Sequence, residues 1–314
     1  MTPRTPAVVV GAYAALPSEA SAQDRFIRGV LDLPGVDGFE LPLMIDAATD
    51  RRWLDWTPPG RPSVATLIPA FAIRSRQDPR FGLASADPEG RAAALDLLRR
   101  LHDTARQWHD LGRELSVVSM SSAPQMTDPA AAERAFECSL REIRGWDWGS
   151  TRLVVEHCDA PRPEHAPEKG YLALEREVRA IERTDDGRTE CGIAVNWGRS
   201  VLEHRDVAGA ARDAARAGDR LRGFILSGVS DRDTEYGPAW ADAHTPVVHE
   251  ASDDSLLTLS RARDVLARLP RELWYLAVKT GAKPASLSAT QRIALIAPAV
   301  QLLTATRDLA EAAK

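Results

Sequence analysis

The sequence predicts an α/β protein, a single-domain (β/α)8 TIM barrel over residues 1–314, and three observations carry that prediction. Eight short apolar, β-branched runs alternate with longer segments rich in Ala, Leu and Arg. The runs lack polar alternation, as expected of parallel strands covered on both faces. No Gly/Ser linker or shift in composition divides the 314 residues, a length that suits one barrel of about 250 residues or more.

The expected strands are Ala7–Tyr13, Asp37–Leu41, Ser63–Ile68, Leu115–Ser119, Arg152–Glu156, Gly192–Asn196, Gly223–Ser227 and Trp274–Lys279. A spare run, Pro246–His249, reads as either a ninth strand or part of a long loop. Between the strands, Asp87-Pro88 and Asp128-Pro129 each set a capping acid before a proline suited to a first helical turn. Ser288 and Gln291 have the spacing of a capping box that opens the last helix. Leu95, Leu98, Leu101 and Trp108 repeat at helical spacing, as do Leu256, Leu259, Val265 and Leu269. A doubly wound sheet is the competing architecture. It is disfavoured because the first strand runs into Gly11-Ala12-Tyr13-Ala14-Ala15 and not into a G-x-G-x-x-G turn. The chain also contains no Walker sequence, G-x-S-x-G elbow or H-E-x-x-H pair.

Composition narrows the setting. Hydrophobic residues make up 44% and charged residues 27%, which is ordinary for a globular protein. The net charge is -5 and basic residues are interspersed with acids, so a phosphate-binding face for nucleic acid is not expected. Cys138, Cys158 and Cys191 form neither a CxxC pair nor a zinc-finger spacing, and their odd number points to a reducing compartment. No apolar run reaches signal-peptide or membrane-spanning length, which makes a cytoplasmic location the expectation, with no membrane partner.

Barrel chemistry sits where strands end and the following loops begin, so the strand ends form a search list. They offer Glu40, Glu156, Asn196 and Lys279, with Trp197 and Arg199 just after Asn196. A carboxylate at the end of Leu-Val-Val is costly to bury unless it is paired, protonated or metal-bound, which singles out Glu156. The competing reading is a structural salt bridge from Glu156 to Lys279 or Arg199. His157 is expected to point away from Glu156 toward the helices, and Asp159 is left unassigned. Asn196, Trp197 and Arg199 combine an amide, an indole and a guanidinium, a set suited to a sugar or carboxylate; they equally suit a capped strand–helix turn. Lys279 reads either as a fixed cation for an oxyanion or as a Schiff-base amine. The long segment Ser230–His249 reads as a lid. Its Asp242-x-His244 suits a hydroxyl; two donors alone make a weak metal site.

FGLASADPEGRAAAL, ahead of a long helix, and LVVEHCDA on the fifth strand resemble the corresponding segments of the xylose-isomerase-like barrels. That superfamily includes sugar isomerases and epimerases, inosose dehydratases and endonuclease-type relatives. The resemblance extends over nearly the whole chain, with a branch of unknown function as the best match. Its metal-dependent epimerases place Glu, Asp, His and Glu on strands five to eight. Glu156 matches the first position, Asn196 replaces the Asp, Leu226 or Ser227 stands at the His, and Lys279 falls near the last Glu. By that comparison the metal site is degraded. No cofactor is assigned beyond at most a weakly held Mn2+ or Mg2+.

The expected activity is proton transfer next to a carbonyl on a sugar or sugar acid, as in an isomerase or epimerase. Glu156 would be the base and Lys279 the oxyanion partner, with Glu40, Asn196, Trp197, Arg199 and His244 contacting substrate. Two alternatives stand beside it: a Schiff-base lyase or aldolase using Lys279, and a non-catalytic carbohydrate sensor. The expected partner is a carbohydrate-like small molecule; homo-oligomerisation is left open.

Overall fold

The computed structural model describes residues 5–43, 47–125, 128–249 and 254–312. Its strands are β1 (Ala7–Val10), β2 (Gly38–Pro42), β3 (Pro62–Thr66), β4 (Glu114–Met120), β5 (Arg152–Glu156), β6 (Cys191–Asn196), β7 (Leu221–Leu226) and β8 (Tyr275–Val278). They close a barrel in chain order, the (β/α)8 architecture that the alternating runs predict. The helices are α1 (Ala20–Leu31), α2 (Ala47–Trp56), α3 (Ile68–Gln77), α4 (Pro88–Asp110), α5 (Pro129–Arg144), α6 (Leu174–Arg183), α7 (Trp197–His204), α8 (Gly209–Ala217), α9 (Leu259–Leu266) and α10 (Ala289–Ala312). Contacts gather into two compact units: Met1–Glu40 with Val195–Lys314, and Leu41–Ala194.

In the first unit, β1 is flanked by β2 and β8, and β8 pairs in turn with β7. The last paired rows are Val10 with Phe39, Val10 with Val278, and Leu226 with Val278. One residue further on, Glu40, Gly11, Lys279 and Ser227 therefore lie level with one another. Register partners in parallel strands point to the same face, so these four residues share one side of the sheet. β1 ends sooner than its apolar run suggests: a 3-10 turn, Ala12–Ala15, begins directly after Gly11. α10 opens with the expected capping box, in which the Gln291 backbone N–H donates to Ser288 Oγ and the Ser288 N–H to Gln291 Oε1. α9 is shorter than the Leu256–Leu269 spacing implies and buries Ala262, Val265 and Leu266. Pro246–His249 is not a ninth strand but a loop segment, joined to Thr258 by an isolated bridge at Val248.

In the second unit, β3, β4, β5 and β6 pair in sequence. α4 and α5 start where predicted. Asp87 accepts from the Glu89 and Gly90 N–H groups, and Asp128 from those of Ala130 and Ala131. α4 buries Leu95, Leu98, Leu101 and Trp108 along one side. Arg144 closes α5: its fully buried guanidinium donates to the carbonyls of Thr189 and Ile181 and to Asp185.

Candidate functional site

The level row in the first unit holds a buried ion pair. Lys279 Nζ lies 2.7 Å from Glu40 Oε1, with the side chains 0% and 1% exposed. The two strands that carry them lie on either side of β1, so the pair crosses over Gly11. A Cβ at Gly11 would lie 2.8 Å from Lys279 Cγ and 3.4 Å from Glu40 Oε2. Glycine is thus the residue that lets the lysine stem pass over the middle strand. The partner of Lys279 in this row is Glu40.

A second network begins at β6. Asn196 ends the strand and caps α7 at once, its Oδ1 accepting from the Gly198 and Arg199 N–H groups at 3.1 and 3.4 Å. The helix then starts without an intervening loop, which buries Trp197 and places Arg199 in the first turn. Arg199 Nε donates to Asp242 Oδ2 at 2.9 Å. Asp242 Oδ1 is 3.5 Å from His244 Nδ1, and the same nitrogen is 2.7 Å from Ser227 Oγ. Arg199, Asp242, His244 and Ser227 thus connect α7, the segment after β7 and the β7 end of the level row.

The segment expected as a lid is tied to the strand ends by backbone hydrogen bonds in this conformation. Gly228 and Thr245 exchange both backbone hydrogen bonds, at 2.9 and 3.0 Å. A Cβ at Gly228 would lie 2.4 Å from Thr245 Oγ1, so this close approach needs glycine. The His244 carbonyl accepts from Gly281 N–H at 2.6 Å, two residues beyond Lys279. Trp240 N–H donates to the Ser230 carbonyl, and Thr245 Oγ1 to Ser255 Oγ. Trp240 and His244 both hold left-handed backbones, with φ of 63° and 54°, conformations that persist only where the surroundings enforce them. Burial raises the pKa of the Tyr236 phenol in this segment, opposed by a hydrogen bond from the Lys283 backbone.

In the second unit, Glu156 ends β5 fully buried and accepts from Ser119 Oγ at 3.2 Å. His157 turns toward the helices, as the alternation predicts: its Nδ1 is 2.7 Å from Glu177 Oε2 on α6. Ser122 Oγ holds the other Glu177 oxygen at 2.5 Å. Asp159 accepts from the backbone N–H groups of Glu168 and Lys169, which folds the chain after β5 back on itself. Sequence reasoning missed Glu177, whose α6 position gives no local signal. It also missed Gly11, whose signal was present: a glycine directly after a buried strand that ends at a barrel mouth. Among the described residues, no group of three or more His, Cys, Asp or Glu side chains is placed to hold a metal ion.

The eight strands close a (β/α)8 barrel, a fold shared with solved proteins of low sequence identity. A xylose isomerase domain protein from Alicyclobacillus acidocaldarius has the same fold at a TM-score of 0.54 and 15% identity, over 96% of this chain and 99% of that one. The IolI protein, determined with a zinc atom, matches at 0.59 and 10% identity over the same shares. The chain belongs to the family described as "Domain of unknown function (DUF4862)", which matches residues 9–295. An uncharacterized protein of Salmonella typhimurium, STM3670, is 31% identical over 309 residues, covering 94% of this chain and 96% of the relative.

Proposed function

We propose that this protein is a sugar-modifying enzyme that moves a proton on the carbon next to a carbonyl, with Lys279 as the fixed cation for the developing oxyanion. The observation that carries this reading is the Lys279–Glu40 pair in the level row at the strand ends. A carboxylate at 2.7 Å stabilises the ammonium over the free amine, which favours an electrophilic lysine over a Schiff-base nucleophile. Aimed at a carbonyl oxygen in a water-poor site, an ammonium favours the enolate over the ketone. The xylose isomerase domain protein of the same fold adds a sugar carbonyl as the substrate class.

The donor set does not suit a resident divalent metal. A metal in the row would face the Lys279 ammonium, and the one carboxylate there is already engaged by it. Asn196 spends its side-chain oxygen on the α7 cap. Glu156, buried at the end of β5, is proposed as a carbon base on its own account. Arg199, Trp197, Asn196 and His244 are proposed to shape the sugar subsite, and a small carbohydrate is the proposed partner.

The test is deuterium incorporation from D2O into a panel of aldoses, ketoses and sugar acids, followed by NMR after dialysis against EDTA. The expected result is exchange beside the carbonyl in at least one sugar, unaffected by EDTA and lost in Lys279→Met. Trapping of substrate on Lys279 by borohydride would instead establish the lyase reading. Ligand binding without exchange would establish a sensor. Glu156→Gln tests the proposed base separately: exchange at the wild-type rate removes it.

A further inference from the structure

Alternation at the ends of β4 and β5 sorts four polar side chains onto two faces. Met120 is the last β4 residue in the ladder and pairs with Val155, so Ser121 falls level with Glu156, and Ser122 with His157. The second pair meets on α6: Ser122 Oγ donates to Glu177 Oε1 at 2.5 Å, and His157 Nδ1 is 2.7 Å from Glu177 Oε2. Ser121 and Glu156 therefore turn to the opposite face, away from that helix. Ser119, two residues earlier on β4, shares this face, and its Oγ donates to Glu156 Oε2 at 3.2 Å. Thr66 on β3 is level with Ser119, and its Oγ1 accepts from the Ile68 N–H at 3.3 Å.

Two of the three hydroxyls on this face are thus engaged within the protein. The third is not: Ser121 is 0% exposed, and its Oγ has no hydrogen-bond partner among the described residues. A hydroxyl withdrawn from water and left unpaired costs free energy, and native structures keep few such groups without a use for them. Being donor and acceptor at once, it matches another hydroxyl. The Glu156 carboxylate leans back to Ser119, one row deeper, which leaves Ser121 on its strand-end side. A carbon seated against both would meet the carboxylate with its C–H and Ser121 with its O–H.

We propose that Ser121 binds the hydroxyl on the carbon that Glu156 deprotonates, and so selects α-hydroxy carbonyl sugars over analogues deoxy at that carbon. The inference rests on the proton-transfer reading above, with Glu156 as the base, and adds to it a required substrate group and the residue that reads it. A site built to hydrogen-bond a substrate hydroxyl rejects the analogue without one, because its own buried group then stays unpaired.

The experiment measures kcat/KM for deuterium incorporation from D2O, for each sugar that exchanges and its analogue deoxy at the exchanging carbon. Wild type is compared with Ser121→Ala and Ser119→Ala. Wild type is expected to favour the hydroxy sugar by at least about 10-fold. Ser121→Ala should abolish that preference by slowing the hydroxy sugar alone. Ser119→Ala acts through Glu156, so it should slow both substrates alike and move the onset of exchange to higher pH, having removed a donor to the charged carboxylate. A wild type indifferent to the hydroxyl, or a preference kept in Ser121→Ala, would overturn the proposal and leave the proton-transfer reading standing. Wild type without exchange on any sugar would remove that reading and the proposal with it. Thermal melts give a readout that needs no substrate. Having no bond to lose, Ser121→Ala is expected to melt at the wild-type temperature or above it. A lower Tm would show the hydroxyl to be engaged inside the protein and would overturn its assignment to a ligand.

Discussion

Removing either partner of the Glu40–Lys279 pair takes the counter-ion from a side chain that is almost wholly buried. Breaking such a pair costs about 3–5 kcal/mol, because the remaining charge has no water to turn to. At roughly 2.1 cal/mol/K of unfolding entropy per residue, a 314-residue chain converts each kcal/mol into about 1.5 °C of Tm. Lys279→Met and Glu40→Gln should therefore each lower Tm by about 5–8 °C. The double variant leaves no net charge in the row and should recover most of that loss. Calorimetry on the four proteins closes a double-mutant cycle, with an expected coupling of about 2–3 kcal/mol. Deuterium exchange on the same four separates stability from chemistry: the double variant should regain its Tm and stay inactive. Two single losses that simply add, within about 0.5 kcal/mol, would show that the pair is not coupled and would refute the level-row geometry.

Two further outcomes follow from the packing. Gly11→Ala puts a methyl 2.8 Å from Lys279 Cγ, so the lysine stem must shift, and should cost about 1–3 kcal/mol in a thermal melt. Glu133 is subject to burial, which raises its pKa, but hydrogen bonds from Arg179 and Arg176 outweigh this and bring it below 4.5. A lowered folded pKa contributes stability that is present above the unfolded value and lost as pH falls through the folded one. Melts of wild type and Glu133→Gln should therefore differ at neutral pH and converge in acid; parallel curves would count against the Glu133–arginine cluster.

Local signals were readable in the sequence because one turn of chain contains them. Asp87 before Pro88, Asp128 before Pro129, and Ser288 with Gln291 each set a helix start through hydrogen bonds to residues two or three positions away. The strands were legible as buried apolar runs, although the end of β1 was not, since the 3-10 turn after Gly11 continues the same apolar character. Partners across the fold were illegible for a different reason. Glu40 meets Lys279 only because β2, β1 and β8 are adjacent and in that register. A one-residue slip in either pairing would take one side chain off that face. Arg199 meets Asp242 only because the chain after β7 folds back onto β7 at Gly228 and Thr245. Asn196 shows both limits at once: its capping role could be read from its neighbours, while what lies beyond the cap could not.

The absence of a loop between β6 and α7 has a consequence for how this family can diversify. Asn196 is both the final strand residue and the helix cap, so inserting even one residue would break the cap and turn Trp197 and Arg199 to new faces. Variation at this point is confined to side-chain exchange, with no change in length permitted. Arg199 works as a fixed datum from which the Asp242–His244 arm is measured. Changes of length are better accommodated around residues 231–239, where several side chains are exposed. A library that randomises length in that arm and holds residues 196–199 constant should yield folded proteins. One that randomises length between β6 and α7 should not.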